Sequence, residues 1–139
     1  MAHTYQHVIE IQRQISLLQQ LLDIARQILA LTTRRERLQW EVVARQLAAD
    51  YGVDVETFVA VIRCESGFDP RAVSKNQNGT TDYGICQFND YWYGSVISPQ
   101  DALNKPEKAL RTMAVVWASG RQSDWTCYKS GAYKQYLHA

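Results

Sequence analysis

Glu65 and Asp82 are the two carboxylates whose settings suit chemistry. Glu65 follows the apolar run Val59-Ala60-Val61-Ile62 and lies within Cys64-Glu65-Ser66-Gly67-Phe68. Asp82 comes 17 residues later, in Thr81-Asp82-Tyr83-Gly84-Ile85-Cys86-Gln87-Phe88-Asn89. One acid emerges from an apolar wall and the other sits among Asn, Thr and Tyr. Cleavage of a glycosidic bond uses such an unequal pair. One carboxyl stays protonated near neutral pH and protonates the leaving oxygen, while the other stays ionised and stabilises or traps the oxocarbenium centre. An apolar pocket disfavours the charged form of a carboxyl and so keeps its proton on, at about 1.4 kcal/mol per pKa unit. Two other chemistries fit poorly. His3, His7 and His138 sit at the chain ends and there is no Cys-x-x-Cys, which argues against a zinc site and against a histidine-activated cysteine. No metal and no cofactor is expected.

Local signals say which elements must position the pair. Asp54 can cap a helix running from Val55 to Glu65, which Gly67 and Pro70 then stop. Asn78-Gly79 marks the tip of a hairpin, since both residue types tolerate positive φ. Folding that hairpin back swings Asp82, on its second strand, towards Glu65. Gln87 and Asn89 follow Asp82 at alternating positions and would share its side if the strand continues. Their amides suit sugar hydroxyls and N-acetyl groups, offering donor and acceptor together. Asn76 and Ser74, on the first strand, are weaker candidates for orienting Asp82 or a ligand. Tyr91-Trp92-Tyr93 occupies a turn-like stretch in which three adjacent aromatics cannot all be buried. A helix is expected from Glu107 to Ser119, ended by Gly120.

These residues carry a resemblance to the lysozyme superfamily. Glu65 to Ser74, reading Glu-Ser-Gly-Phe-x-Pro-x-Ala-Val-Ser, is similar to bacterial lytic transglycosylases of the soluble type. The block from Thr81 to Asn89 looks closer to animal-type lysozymes, including the place of the second acid. The likeness covers roughly residues 53–137. It implies an α+β, mostly α domain with a small β-hairpin or sheet beside a catalytic cleft. It also implies a peptidoglycan-cleaving enzyme, with Glu65 as general acid and base and Asp82 as stabiliser or nucleophile. Trp92 and Tyr93 fall where the family carries aromatics that stack on sugars. Trp125 falls where an aromatic covers the catalytic acid. Under that placement Cys64 and Cys127 become neighbours and a disulfide between them is expected, leaving Cys86 as a buried thiol; the three cysteines alone allow three pairings. The Asp82 block favours hydrolysis between N-acetylmuramic acid and N-acetylglucosamine, and the Glu-Ser-Gly-Phe opening favours a lytic transglycosylase giving 1,6-anhydro products. A non-catalytic wall-binding or scaffold protein is a third reading, opposed by the presence of both acids with Gln87 and Asn89.

Residues 1–32 lie outside the resemblance and carry no chemistry. Val8, Ile11, Ile15, Leu18, Leu22, Ala25 and Leu29 recur at three and four residues, and Leu17, Leu21, Ile24, Ile28 and Leu31 form a second seam. This predicts an amphipathic helix that packs on the core of the same chain, self-associates through residues 8–31, or lies on a membrane surface. Thr33-x-x-Glu36 reads as a capping box opening a second helix, so that the two would form an αα-hairpin against a catalytic domain spanning residues 33–139. With 46% hydrophobic residues and 11% aromatics the chain is globular, and a net charge of +1 gives no footing for nucleic acid. No apolar stretch reads as a membrane span. The start lacks a basic segment followed by an apolar run, so no signal peptide is expected in these residues. The disulfide nonetheless suggests an extracytoplasmic setting, secreted, periplasmic or wall-bound.

Overall fold

The computed structural model describes residues 1–138. Its element order is α1 (Ala2–Asp50), α2 (Val55–Ser66), β1 (Val73–Lys75), β2 (Thr81–Tyr83), β3 (Phe88–Asn89), α3 (Asp90–Tyr93), α4 (Pro99–Asn104), α5 (Pro106–Ala118) and α6 (Thr126–Lys129), with 3-10 turns at Gln122–Asp124 and Ala132–Tyr136. This is the mostly α, α+β architecture expected. The chain divides into two compact units, Met1–Glu36 and the remainder from Arg37 onward.

The first unit is helical throughout after Met1, and its side chains are exposed up to Thr32. Both apolar seams expected to be buried are therefore in the open, with Leu18, Leu21 and Leu29 at 60, 62 and 67% exposure. The expected break at Thr32-Thr33 is absent, and no αα-hairpin forms. Residues 2–50 contain neither Gly nor Pro, the helix runs unbroken through Thr33, the expected cap, and the neighbouring Thr32 hydroxyl donates to the Ile28 carbonyl at 2.9 Å. A threonine that bonds back to the preceding turn is compatible with continued helix.

The second unit is built around α2. Asp54 caps it as expected, its carboxylate accepting from the Thr57 N–H at 3.0 Å, and Gly67 closes it in the left-handed conformation. Five consecutive residues, Phe58 to Ile62, are fully buried. Four of them, Phe58, Val59, Val61 and Ile62, pack in one core with Leu110, Met113 and Trp117 of α5 and with Ala44, Leu47 and Ala48. Phe58 meets Trp117 edge-on, with centroids 5.3 Å apart. Because the middle of α2, Phe58 to Ile62, is buried all round, its C-terminal Glu65 leaves the helix beside an apolar core.

β1, β2 and β3 form an antiparallel sheet in that order. Asp82 on β2 stands opposite Ser74 on one side and Asn89 on the other. The β1–β2 turn needs positive φ only at Gly79 (φ 88°). The Gly79 N–H donates to the Asn76 carbonyl and the Asn76 N–H to that of Thr80, a three-residue loop with a glycine bulge instead of the two-residue turn that Asn-Gly suggests.

Gly84 follows β2 at φ +78°, and a Cβ there would lie 1.9 Å from the Ala102 carbonyl oxygen. Gly84→Ala is expected to destabilise the second unit by about 3 kcal/mol or more, because strain and overlap with backbone add. Gly79→Ala, with nothing within 4 Å of its Cβ, should cost only the left-handed strain of about 1–2 kcal/mol. Thermal melts of the two variants test the difference.

Candidate active site

Three ties hold the end of α2 in place. The Ser66 hydroxyl donates to the Ile85 carbonyl at 2.6 Å, joining the helix to the turn after β2. Cys64 and Cys127 are disulfide-bonded with Cα atoms 6.1 Å apart, and Cys86 is a free, buried thiol. The Cys127 N–H donates to Glu65 Oε1 at 3.0 Å. The residue that closes the disulfide thus also fixes the carboxyl.

Glu65 holds its proton above the ordinary glutamate range. Burial is the largest cause, the Cys127 N–H opposes it, and the negative charge of Asp82 adds to it. The Cys86 thiol is pushed well above its usual value, mainly by burial and further by Glu65, so it stays neutral and unreactive.

Asp82 has a different environment. Its Oδ1 accepts from Asn89 Nδ2 at 2.9 Å, and the same amide donates to Thr80 Oγ1 at 2.8 Å. Asn76 Nδ2 donates to that hydroxyl at 3.1 Å, and the hydroxyl donates to Asn78 Oδ1 at 2.7 Å. The turn polar groups therefore form a chain ending on the carboxylate, which fixes its orientation.

A cleft of about 770 Å³ is lined by both acids and by Asn76, Gln87, Asn89, Trp92, Tyr93 and Trp125. These eight residues, each singled out for chemistry or sugar contact, share one cavity, whereas Ser74 does not line it; nor is the arrangement the expected one. The strand does not continue from Asp82 to Gln87. Gln87 sits in the intervening turn at φ 54°, and its Nε2 donates to the Gly84 and Ala72 carbonyls at 2.9 and 3.1 Å. Its donor half braces backbone.

Asn89 is likewise committed. Besides holding Asp82, its Oδ1 accepts from the Tyr91 and Trp92 N–H groups and caps α3. It orients the acid and starts the next helix, which leaves its amide spent for sugar binding.

The aromatic triplet divides. Tyr91 and Trp92 are 73 and 69% exposed and meet edge-on at 4.9 Å; an exposed indole on a cleft wall is free to stack on a ring. Tyr93 is buried, and its hydroxyl donates to Asp124 Oδ2 at 2.5 Å. Burial first, and then that carboxylate, push its pKa far up. Arg121 pairs with Asp124 at 2.8 Å and lies 5.6 Å over the Tyr93 ring. Trp125 is buried, with its Nε1 donating to the Cys86 carbonyl at 2.8 Å and its ring against Phe88 and Tyr93. It lines the cleft that Glu65 enters as a fixed apolar wall.

Residues 43–116 match the transglycosylase SLT domain family. The chain belongs to that family. The matched span of the SLT domain includes both acids and the three-stranded sheet, and it ends before Trp125 and Cys127. The chain is also similar to proteins named lysozyme C: 35% identical over 60 residues to that of Scophthalmus maximus, 41% over 56 residues to that of Penaeus merguiensis and 32% over 81 residues to that of Takifugu rubripes. These alignments cover 42, 37 and 55% of this chain and 42, 35 and 57% of the respective relatives, so the chain spans only about half or less of each.

Some cleft residues of this SLT domain were not singled out from sequence: Arg121, Asp124, Thr126, Gln77 and Asn78. Asp124 directly precedes Trp125, which was the available signal. Its pairing with Tyr93, 31 residues away, had none. Among the described residues no group of three or more His, Cys, Asp or Glu could hold a metal ion.

Proposed function

We propose that this SLT domain cleaves peptidoglycan as a muramidase, cutting the β-1,4 bond from N-acetylmuramic acid to N-acetylglucosamine. Glu65 is the general acid and then the general base, and Asp82 stabilises or attacks the anomeric carbon. The observation that carries this reading is the shared cleft, in which burial raises the proton affinity of Glu65 while a turn amide holds Asp82. Trp92 serves as a stacking face, and Trp125 as the apolar wall that favours the protonated acid. The names of the relatives, lysozyme C, support the same activity.

A lytic transglycosylase is the second reading, and the family match favours it. There Glu65 makes both proton transfers and the 6-hydroxyl of the muramic acid residue attacks its own anomeric carbon, so that no water enters and a 1,6-anhydro sugar leaves. Mass spectrometry of digested peptidoglycan separates the two, because the anhydro product is lighter by one water. Reducing-end products are expected, and anhydro products alone would replace the hydrolase reading by the second.

The Cys64–Cys127 bridge supports work in an oxidising, extracytoplasmic compartment. Among the described residues no helix is long and apolar enough to cross a membrane.

A further inference from the structure

The first unit leaves a broad apolar face uncovered. Placed on a heptad with Val8 at position a, the seam through Leu18 and Leu22 occupies a and d, and the seam through Leu21 and Ile28 occupies c and g. Those four positions are contiguous around a helix and span roughly 150°, wider than the seam of a two-stranded coil. The large apolar side chains of the two seams are 46–67% exposed. At on the order of 100 Å² for each of about ten side chains, the face offers roughly 1,000 Å². A monomer rarely exposes more than a few hundred Å² in one patch, and a stable interface uses about 800 Å² per partner.

We propose that residues 8–31 assemble this chain with further copies of itself into a helical bundle. Three observations select a second copy as occupant. The charges of the segment are few and paired within the helix, Glu10 with Arg13 at 3.9 Å and Asp23 with Arg26 at 3.4 Å. They therefore repel neither an identical helix nor attract an oppositely charged one. Asp23, Arg13 and Arg26 also fall off the apolar face, with Glu10 at its N-terminal edge. Residues 8–31 contain no Lys, Trp, Tyr or Phe, whereas a helix lying on anionic lipid has a basic face and aromatic anchors. Finally, the area matches what association between like partners requires, and a bundle of more than two helices covers the c and g positions as well as a and d. An assembly carries one cleft per chain, so a polymeric glycan can be engaged at several points.

The test is the mass of the full chain in solution by size exclusion with light scattering. The parent should run at two or more times its 15.9 kDa chain mass. Leu18→Glu combined with Leu22→Glu should return it to the chain mass. The same added charge on the opposite side, Gln20→Glu with Gln27→Glu, should leave the assembly intact. Near-UV circular dichroism checks that the second unit remains folded in both variants. A monomeric parent, or an assembly that survives the paired leucine changes, overturns the proposal. So does a parent that is monomeric alone and sediments with phosphatidylcholine vesicles.

Discussion

Replacing Glu65 with glutamine is expected to lower cell-wall clearing by about 100-fold or more, the usual worth of a positioned proton donor. Glutamine keeps the shape and an oxygen that accepts from the Cys127 N–H, so the loss reports the missing proton and not a collapsed cleft. Stability should move the other way. Burial raises the folded-state proton affinity of Glu65 above its unfolded value. Its contribution to stability is therefore fully present below the ordinary glutamate range and is lost as pH rises through the folded pKa. The glutamine variant has no such loss. Its melting temperature should equal or exceed that of the parent near neutral pH and should change less between about pH 4 and about pH 8. Turbidity assays and thermal melts read both effects. Clearing at the parental rate would falsify the role of Glu65.

What could be read from the chain divides along physical lines. The helix carrying Glu65 was legible because its signals are local: Asp54 at one end, Gly67 at the other, and a fully apolar run between them. The left-handed Gly79 was legible for the same reason. Gln87 was misplaced because alternation holds only while a strand continues, and nothing in Ile85-Cys86-Gln87 announces a non-glycine residue at positive φ. Its cost is offset by two hydrogen bonds from its own side chain to carbonyls, one of them 15 residues away in sequence.

Asn89 shows another limit. The same residue type both binds sugars and caps helices, and only the position of α3 reveals that its oxygen is already occupied. Tyr93 could be separated from Trp92 only by the partner it finds in Asp124. The helix break expected at Thr32-Thr33 failed because a capping box competes with continued helix. Without Gly or Pro the continued helix wins. In each case the local pattern was correctly read and a tertiary or alternative partner decided the outcome.

Asp82→Asn should separate two things that the Glu65 variant cannot: the mechanism, and the electrostatic link between the acids. If water attacks a stabilised oxocarbenium centre, loss of the Asp82 charge should cut kcat about 100-fold. If the substrate's own hydroxyl attacks, the change should be small and anhydro products should persist. The substitution leaves an oxygen for Asn89 to donate to, which limits disturbance of the turn. The alkaline limb of kcat/KM offers an independent readout, since it follows deprotonation of the general acid in the free enzyme. Asp82 raises the proton affinity of Glu65, but burial raises it more. Removing the charge should therefore move the alkaline limb to lower pH while leaving it above the ordinary glutamate range. Trp125 lines the same cleft, and on the proposed reading, in which it shelters Glu65, Trp125→Ala should also move the limb to lower pH. An alkaline limb unchanged in Asp82→Asn would mean that the two carboxyls do not sense each other, and the paired-acid mechanism would lose its electrostatic basis even if both residues proved necessary.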